Sequence, residues 1–406
     1  MNILMVSDFN FSSLGGVQSS IKSQVDELRN QGHRAVLLCP ADDQQYGLMN
    51  DDIFYVPSLR FPRVNNHAVA SPFGHSIAKL VRDLQDITSF DVVHSQTTSL
   101  LGARARLIAD MMDIPLVQTM HGRDDVFVER TLRFPLVVAH GMHLLDQIFV
   151  RDRRHYNIQN ETRTRRLLWD IMLNRAERAD AITVPSHHFA KKFITKGADQ
   201  SKFTVIPNGI PDDIIAKVKP MGPKAATAGI SLVWAGRLSA EKQPDMAIRA
   251  SAHVQNCTLD VYGDGLLMNA CKKLIHDLNV EDRVSLKGVY KTNQIYDILK
   301  RYDAMVYTSY NFDTQGIVLL EASIAGVPVI YCDPDLAESL PEGSAVLTDA
   351  NTALSLSKSI SNLAASPDRL QQSRKLIMAA REGYRQSLQT SRMVELYTAI
   401  RKRTQL

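Results

Sequence analysis

The amino-acid sequence predicts an α/β protein built from two doubly wound domains that face each other across a cleft. The chain has 406 residues, which exceeds the ~100–200 residues of an ordinary domain. Short runs rich in Val and Ile alternate with helical patterns, as expected of buried parallel strands joined by helices. The alternation stops near residue 211 and restarts near residue 230, which indicates a second domain.

The first domain is predicted to span residues 1–212. Its predicted strands lie at 2–9, 34–40, 52–58, 91–96, 115–122, 181–186 and 203–209. Apolar side chains recur at helical spacing from Val17 to Leu28, and Gly32 is expected to end that helix. Residues 123–178, rich in Arg and His, interrupt the alternation and indicate a helical insertion.

The second domain is predicted to span residues 213–385. Residues 211–229 are rich in Pro, Gly, Lys and small side chains, which favours an interdomain linker. Further strands are predicted at 230–238, 257–265, 284–288, 304–309 and 328–333. Helical patterns at 351–365 and 367–404 close the chain, and we expect 386–406 to return to the first domain.

The composition excludes several classes of protein. Apolar residues make up 45% and charged residues 22%, values typical of a globular protein. No apolar run reaches the ~18–20 residues of a membrane-spanning helix, and no secretory leader pattern is evident. The four cysteines lack metal or disulfide spacing, so a reducing cytoplasm is expected. A net charge of +4 without an aromatic-interleaved basic strand does not favour nucleic acid.

Ligands of doubly wound sheets bind where strands lead into helices, so motifs at those points matter most. Gly15 and Gly16 precede the first helix, where bare backbone and a helix N-terminus would suit a phosphate. The alternative is a turn that only joins strand to helix. The pattern is not GxGxxG, which argues against a dinucleotide-dependent oxidoreductase.

A basic pair follows the first strand of the second domain. Gly236 is followed by Arg237, and Lys242 lies five residues further on. A guanidinium and an ammonium so placed could clamp a diphosphate and stabilise it as it departs. The alternative is a solvated basic turn.

Two carboxylates flank a loop-to-helix junction near residue 315. Asp313 and Glu321 are eight residues apart and could accept hydrogen bonds from sugar and ribose hydroxyls. Between them, Gly316 and Ile317 could offer backbone N–H groups to a phosphate. The alternative is that Asp313 caps the helix and Glu321 forms a buried salt bridge.

Several other strand ends carry candidate ligand groups. His121 could hydrogen-bond a sugar hydroxyl or assist proton movement, or it could simply be satisfied by nearby backbone. Gly263 and Asp264 suit either a close ligand or a tight turn, and exposed backbone at Val289 could read a base edge. The histidines show no HExxH or other metal-ligand spacing, so no metal is expected.

A basic cluster lies within the predicted insertion. Its members are Arg151, Arg153, Arg154, Arg163, Arg165 and Arg166. Only Asp152 and Glu161 oppose them, so the local net charge of +4 equals that of the whole chain. Basic residues near anionic lipid contribute ~1 kcal/mol each, which favours contact with an anionic membrane surface. The alternative is a solvated helix face.

Taken in order, the strand-end motifs resemble those of family 4 glycosyltransferases. The matching segments are GGVQ, TMHG, AITVPS, VIPNGI, WAGRLSAEK, VYGDG, LKG and DTQGIVLLEASIAGVPVI. The resemblance covers nearly the whole chain except about 123–175 and the last few dozen residues. It implies the GT-B fold, with an N-terminal acceptor domain and a C-terminal donor domain. It also implies glycosyl transfer from a nucleoside-diphosphate sugar with retention, with neither a cofactor nor a metal.

The same resemblance implies roles for single residues. Arg237 and Lys242 would hold the donor diphosphate together with the backbone of Gly16. Glu321 would bind the ribose, and His121 would face the reacting sugar.

The donor sugar would be contacted by Asp313 with Gln315, Gly316 and Ile317. The family usually has glutamate where this chain has Asp313, so the carboxylate here is retracted by one methylene.

GGVQ and the TQG variant resemble bacterial enzymes that glycosylate diacylglycerol or phosphatidylinositol. We therefore predict a hexosyltransferase that uses a donor of the UDP-glucose type and a lipid acceptor such as diacylglycerol. It would be cytoplasmic and peripheral on the inner face of the cell membrane. The alternatives are the same fold and donor with a soluble small-molecule acceptor, or a catalytically silent GT-B binding protein, which only the departure at Asp313 supports.

Overall fold

The structure of the protein is a computed structural model. Its strands and helices determine where the strand-end motifs lie. The described residues are 1–9, 15–41, 46–49, 52–64, 67–71, 76–98, 100–149, 153–221, 229–291 and 294–404.

The described chain divides into two compact units. The first comprises 1–129, 133–209 and 386–406, and the second comprises 130–132 and 210–385. Each contains a mostly parallel sheet with helices packed on it, so both predicted α/β domains are present.

The sheet of the first unit has the order β10-β9-β8-β7-β1-β2-β4-β3, parallel throughout except for the pair β3–β4. The strands are β1 (Asn2–Val6), β2 (Arg34–Pro40), β3 (Gly47–Met49), β4 (Ile53–Val56), β7 (Val92–Ser95), β8 (Leu116–Thr119), β9 (Ala181–Val184) and β10 (Phe203–Val205). A separate antiparallel hairpin, β5 (Ser58–Val64) and β6 (His67–Ala70), follows β4. In β1 and β2 nearly every residue is buried, because helices cover both faces of the sheet.

The helices of the first unit include those of the predicted insertion. They are α1 (Gly16–Asn30), α2 (Ile77–Gln85), α3 (Leu100–Met112), α4 (Asp124–Thr131), α5 (Pro135–Phe149), α6 (Arg163–Glu177) and α7 (His187–Ile194). Helix α1 buries Ile21, Val25 and Leu28 and ends just before Gly32, whose φ of 80° suits a glycine after a helix. The insertion is thus formed by α4, α5 and α6.

The sheet of the second unit has the order β13-β12-β11-β14-β15-β16, with every pair parallel. Its strands are β11 (Ile230–Ala235), β12 (Cys257–Tyr262), β13 (Val284–Gly288), β14 (Ala304–Tyr307), β15 (Val329–Tyr331) and β16 (Val346–Leu347). The helices around it are α8 (Asp212–Lys217), α9 (Pro244–Ala252), α10 (Met268–Asp277), α11 (Ile295–Leu299), α12 (Ile317–Ala325), α13 (Ala353–Ala364) and α14 (Pro367–Ala380). Strand β11 lies at the centre, so the loop after it is flanked by those of β12 and β14.

The predicted linker at 211–229 is wrong in its first part. The chain leaves the first unit at 209–210, and Asp212–Lys217 already form α8 of the second unit. Two acidic residues in the first turn favour that helix, and Ile215 is buried beneath it. Residues 222–228 of the predicted linker lie outside the described residues.

The long helix predicted at 367–404 is two helices. A short 3-10 turn at Arg381–Tyr384 separates α14 from α15 (Gln386–Thr404). At this break Ile210 N donates to Tyr384 O at 2.7 Å, and Gly209 lies against the backbone of Gln386. Helix α15 then packs on the first unit, where Met393, Tyr397 and Ile400 join a core with Ile3 and Met5. In the described part of the chain, no helix is long and apolar enough to cross a membrane.

Candidate active site

In the second unit, a lysine and an aspartate meet where β11 and β14 end. Lys242 closes the short 3-10 turn after β11, and Asp313 follows β14. The Lys242 Nζ atom lies 2.6 Å from both carboxylate oxygens of Asp313. Both side chains are mostly shielded, with 17% and 13% exposed. The two predicted residues therefore form one ion pair in this structure.

The electrostatic balance keeps Asp313 ionised. Burial pushes the pKa of its carboxyl upward, but the charge of Lys242 and hydrogen bonds from Lys242, Ser309 and Tyr307 outweigh burial, so the pKa is lowered. An ammonium facing a carboxylate that stays charged is held firmly, and its third N–H direction meets the hydroxyl of Tyr307 in a long contact of 3.4 Å.

A second layer of hydrogen bonds fixes the turn that carries Lys242. The Trp234 indole N–H donates to Thr308 Oγ1 at 2.9 Å. Thr308 Oγ1 lies 2.7 Å from the carbonyl oxygen of Lys242 and 2.9 Å from that of Gln243. Gln243 has a positive φ of 49°, so α9 begins in a new direction directly after Lys242.

Arg237 is anchored by a carboxylate that the sequence analysis did not single out. Its Nη2 atom donates to Glu241 Oε1 at 3.1 Å. Glu241 is fully buried, whereas the Arg237 side chain is 40% exposed. The guanidinium is thus tethered at one end and open to solvent at the other. The spacing of four residues was visible in the sequence, but the burial of Glu241 was not.

The glycines after β12 are required by their close approach to the backbone that follows β11. A Cβ on Gly263 would stand 1.8 Å from Gly236 O, and one on Gly265 would stand 2.5 Å from Leu238 O. Asp264 serves the same junction, since its carbonyl accepts from Leu238 N at 2.9 Å and its side chain from Gly265 N at 2.7 Å. These contacts explain Gly263 and Gly265 without any ligand, whereas a Cβ on Gly236 would make only an ordinary contact with Trp234 at 3.4 Å.

Gly316 is required by both conformation and space. Its φ is 76°, and a Cβ there would stand 2.7 Å from the hydroxyl of Tyr307, which itself donates to Asp313. Gln315 before it is buried, and Ile317 after it opens α12. The backbone of α12 therefore starts beside the Lys242–Asp313 pair.

Glu321 stands apart from the other acidic residues of this unit. It is half-buried on α12, and among the described residues it has neither a hydrogen-bond nor an ion-pair partner. Burial raises the pKa of its carboxyl to about 7. A shielded carboxyl without a partner is typical of a functional group rather than a structural one.

A cavity of about 310 Å³ opens beside this region. Its walls are Tyr262, Val289, Tyr290, Gln294, Asp297, Ile298 and Arg301. Val289 is 75% exposed, and the rings of Tyr262 and Tyr290 meet edge to face at 6.2 Å. Burial raises the pKa of Tyr290, and the charge of Glu321 adds to that rise.

In the first unit, His121 lies after β8 and contacts the side chain of Gln96, which follows β7. Burial lowers the pKa of His121 to about 4, so its imidazole is neutral at physiological pH. Because Gln96 Oε1 can only accept, Nε2 of His121 carries the proton and Nδ1 is the acceptor.

Gln96 belongs to a buried polar network that sequence reasoning missed. Its amide nitrogen donates to Gln24 Oε1 at 2.9 Å and lies 3.2 Å from Nε2 of His94. His94 is fully buried and contacts the hydroxyls of Thr119 and Tyr397. These side chains come from α1, the regions of β7 and β8, and α15, so no local pattern marks them.

Acidic residues also line the strand ends of the first unit. Asp8 follows β1, accepts from Leu101 N at 3.1 Å and contacts Thr97. Asp124 opens α4 and accepts from Thr98. Burial raises the pKa of Asp124 to about 6, Thr98 opposes the rise, and the charges of neighbouring acidic groups add to it. Their positions directly after strands were the available sequence signal.

Gly15 and Gly16 lie at the start of α1, and both are exposed. Gly15 has an extended backbone with φ of −98°, so its conformation does not require glycine. A Cβ there would approach only the end of the flexible Gln18 side chain, at 2.8 Å. As the first helical residue, Gly16 has an N–H group without a partner inside the helix.

Comparison with known proteins identifies the chain's relatives. Residues 14–214 match the model described as Glycosyltransferase Family 4, and residues 224–383 match Glycosyl transferases group 1. The two matches together cover most of the chain.

The chain is a family 4 glycosyltransferase.

Its relatives in sequence include lipid and peptide glycosyltransferases. It is 24% identical to Alpha-monoglucosyldiacylglycerol synthase of Streptococcus pneumoniae, over 81% of this chain and 70% of that protein. It is 27% identical to the GtfA subunit of a UDP-N-acetylglucosamine–peptide N-acetylglucosaminyltransferase of the same species, over 60% of this chain and 48% of that protein. The chain therefore spans about half the length of the second relative.

Solved structures show the GT-B fold of the glycosyltransferase. Anabaena Alr3699/HepE in complex with UDP superposes with a TM-score of 0.71 at 17% identity, covering 98% of this chain and 100% of that one. The pneumococcal O-GlcNAc transferase GtfA in complex with UDP and GlcNAc gives 0.66 at 15% identity, covering 98% and 99%. The fold class predicted from the sequence is confirmed.

The basic cluster of the glycosyltransferase is not one exposed face, and this corrects the expectation of six membrane-facing arginines. Arg153 is only 11% exposed and pairs with Asp146 and Asp170. Arg165 pairs with Glu129 and is 16% exposed. Both are tied within the insertion because carboxylates of α4, α5 and α6 surround them.

Three other arginines of the cluster do reach solvent. Arg154, Arg163 and Arg166 are exposed, and Arg154 lies 3.4 Å from Glu177. Arg151 lies outside the described residues. Across the described ranges of the glycosyltransferase, no group of three or more His, Cys, Asp or Glu side chains is placed to hold a metal ion.

Proposed function

We propose that this glycosyltransferase transfers a hexose from a nucleoside-diphosphate sugar of the UDP-glucose type to a hydroxyl acceptor, with retention at the anomeric carbon and without a metal. The observation that carries the proposal is the Lys242 ammonium, 2.6 Å from both oxygens of Asp313, at the strand ends where ligands of such sheets bind. Solved relatives in complex with UDP and with UDP-glucose support the choice of donor.

Lys242 and Arg237 stabilise the departing diphosphate. Negative charge grows on the leaving phosphate as the bond to the sugar breaks, and two cations already oriented by carboxylates meet that charge without reorganisation. Lys242 keeps its contact to Asp313, and a phosphate oxygen replaces the hydroxyl of Tyr307, 3.4 Å away, as the acceptor of its third N–H. Arg237 keeps its hydrogen bond to Glu241, and the exposed end of its guanidinium contacts the same diphosphate. In the first unit, the N–H of Gly16 at the start of α1 is a separate candidate donor to a phosphate.

Asp313 and the start of α12 hold the donor sugar. The carboxylate stays ionised and accepts hydrogen bonds from sugar hydroxyls, and the N–H groups that follow Gly316 meet the diphosphate. Asp313 has a shorter side chain than the usual glutamate, and it is bound to Lys242. Because Asp313 contacts the sugar and Lys242 contacts the diphosphate, this one ion pair couples the binding of the two groups.

The nucleoside occupies the region of Glu321 and the adjoining cavity. An unpartnered carboxyl gains two hydrogen bonds from ribose hydroxyls, which compensates for its burial. The cavity of about 310 Å³ offers tyrosine rings and the exposed residue Val289 to a base.

His121 contacts the reacting sugar. Its neutral imidazole, oriented by Gln96, is the candidate hydrogen-bond partner of a sugar hydroxyl.

The acceptor we propose is a membrane lipid such as diacylglycerol. A lipid acceptor is supported by one relative, named Alpha-monoglucosyldiacylglycerol synthase, which matches 81% of this chain. The enzyme then works as a peripheral protein on the cytoplasmic face of an anionic membrane. A second candidate, a soluble acceptor, is favoured by the similarity to D-inositol 3-phosphate glycosyltransferase, at 24% identity over 59% of the chain.

A thermal-shift series with UDP-, GDP- and ADP-sugars tests the donor. A donor at ~100 times its Kd stabilises the native state by about 2.7 kcal/mol, which raises the melting temperature. We expect a clear rise with UDP-glucose and a smaller one for the other bases. Lys242→Ala should reduce the rise, whereas Lys273→Ala, an exposed residue on α10, should not. A flat response to all donors would reject the proposal and favour a silent binding protein.

Transfer assays with the preferred donor then separate the acceptors. We expect a labelled product with diacylglycerol in mixed micelles and none with inositol phosphate, and NMR of the product should show the α anomer from an α donor. Transfer to the soluble acceptor alone would replace the lipid proposal, and an inverted anomer would reject retention.

A further inference from the structure

A second cavity, of about 420 Å³, lies within the helical insertion. Its walls include His143 and Gln147 on α5, Arg163 and Arg166 on α6, and Arg153 and His155 on the segment between these helices. All of them belong to the first unit, and none has a role in the transfer chemistry proposed above.

The cavity carries an uncompensated positive charge. Among its charged walls, Arg153 and Asp170 pair with each other, and Asp146 beneath them also pairs with the buried Arg175. Those four charges balance. Arg163 and Arg166 are exposed and have no ion-pair partner among the described residues. Two guanidinium groups therefore face an open cavity without a counter-charge.

The position of these arginines is unfavourable without an anion. Both lie in the first turn of α6. That turn contains no acidic residue, and Glu161 just before the helix pairs with Arg165 of the same turn. The N-terminal end of a helix carries the positive end of its dipole, so cations there repel it. Sequences that break such a local rule tend to do so at functional sites, and an anion in the cavity would remove the repulsion.

An exposed apolar stripe runs along α5 beside the cavity. Val137, Leu144 and Ile148 are 71%, 61% and 67% exposed, and Phe134 just before the helix is 62% exposed. Their spacing places them on one helical face. Contiguous exposed apolar surface of this kind marks an interaction site.

The stripe and the cavity adjoin. His143 and Gln147, which line the cavity, each precede a stripe residue by one position, about 100° around the helix. An apolar strip with cationic groups at its edge is the surface that binds a lipid bilayer, with apolar side chains among the acyl chains and cations at the phosphates.

We propose that the α5 stripe and the Arg163–Arg166 cavity form a docking site for an anionic phospholipid bilayer, in which a lipid phosphate enters the cavity. The inference rests on the proposed function in so far as the acceptor is a membrane lipid, and it assigns membrane contact to residues separate from those that hold the donor. It also replaces the six-arginine surface predicted from the sequence with two arginines and four apolar side chains. Docking through this face brings the enzyme to its acceptor in the bilayer.

Vesicle sedimentation tests the docking site with the full chain. Wild type should bind vesicles that contain phosphatidylglycerol and bind pure phosphatidylcholine vesicles far less. Arg163→Gln/Arg166→Gln should weaken binding by about 25-fold, since each basic residue contributes roughly fivefold. Leu144→Ser/Ile148→Ser should weaken binding to the same vesicles. Lys273→Gln, which removes an exposed charge on α10, is the matched control and should bind as wild type does.

Hydrolysis of UDP-glucose in water, measured on the same proteins, separates this inference from the proposed function. All variants should retain wild-type hydrolysis and wild-type melting temperature, because the substituted side chains are exposed. Loss of vesicle binding with intact hydrolysis supports the docking site. Variants that still bind vesicles as wild type does would overturn it, as would equal binding to both vesicle types. A wild type that ignores vesicles yet transfers sugar to a soluble acceptor would overturn the docking site and leave the glycosyltransferase function standing.

Discussion

At the scale of single residues, the second unit holds each candidate cation with a carboxylate. Lys242 is bound by Asp313 and Arg237 by the buried Glu241. Groups oriented in advance stabilise a developing charge better than mobile ones do. This arrangement also weakens the attraction of the two cations for the donor in its ground state, since each cation already has an acidic neighbour.

Glu321 makes the stability of the protein depend on pH. Burial raises the pKa of its carboxyl from 4.5 to about 7, so over that interval the folded state keeps a proton that the unfolded state has lost. The contribution of this group to the free energy of unfolding is fully present below pH 4.5 and is lost as the pH rises through about 7. Glu321→Gln cannot titrate, so we expect its stability relative to wild type to rise across this interval.

Urea unfolding at several pH values measures that difference. Asp297→Asn, at an exposed position of α11, provides a control carboxyl whose pKa is not raised. Parallel stability profiles for wild type and Glu321→Gln would contradict the assignment of an uncompensated carboxyl.

At the scale of elements, the strand-end loops of the second unit depend on bare backbone. Gly263 has φ of 133°, and a Cβ there would stand 1.8 Å from Gly236 O. Gly263→Ala should therefore lower the free energy of unfolding by about 3 kcal/mol, at the upper end for overpacking. Gly383→Ala, where nothing lies within 4 Å of the added Cβ, should change it by less than about 0.5 kcal/mol. Chemical denaturation compares them, and equal stabilities would refute the packing explanation.

The sequence predicted elements best where periodicity and burial agree. The run 34–40 became β2 with both ends as predicted, because nearly all its side chains are buried in the sheet. The hairpin β5–β6 was missed since Pro62 and charged residues break its strand pattern, and β16 has only two residues. The break between α14 and α15 was missed because backbone packing of Gly209 and Ile210 sets it, and local helix propensity does not.

The candidate site was predictable where each residue sits within a strand-end motif, as Lys242 and Asp313 do. Their ion pair was not predictable, because 71 residues separate them in sequence. Gln96 was missed for a similar reason, since only the neighbouring strand β8 brings His121 to it. The burial of Glu241 likewise depends on tertiary packing. So does the question of which arginines of the basic cluster are exposed and which form ion pairs.

At the scale of the whole molecule, the last helix completes the first unit. Tyr397 of α15 is fully buried, and its hydroxyl contacts Nδ1 of His94 in the sheet. Tyr397→Phe leaves a buried polar nitrogen without that partner, so we expect a loss of about 1–3 kcal/mol in the free energy of unfolding. Thr398→Ala, on the exposed side of the same helix, should be nearly neutral. Equal effects of the two substitutions in thermal melts would show that the buried contact is unimportant.

The central claim concerns the whole enzyme: Lys242 stabilises the departing diphosphate. The measurement that tests it most directly is the rate of hexose transfer from UDP-glucose at saturating donor, for wild type, Lys242→Ala and Lys273→Ala. We predict that Lys242→Ala lowers kcat by about 10²–10³-fold, the effect of removing one charge-stabilising donor, while its fold is retained and Lys273→Ala matches wild type. Turnover by Lys242→Ala within a few-fold of wild type would contradict the account.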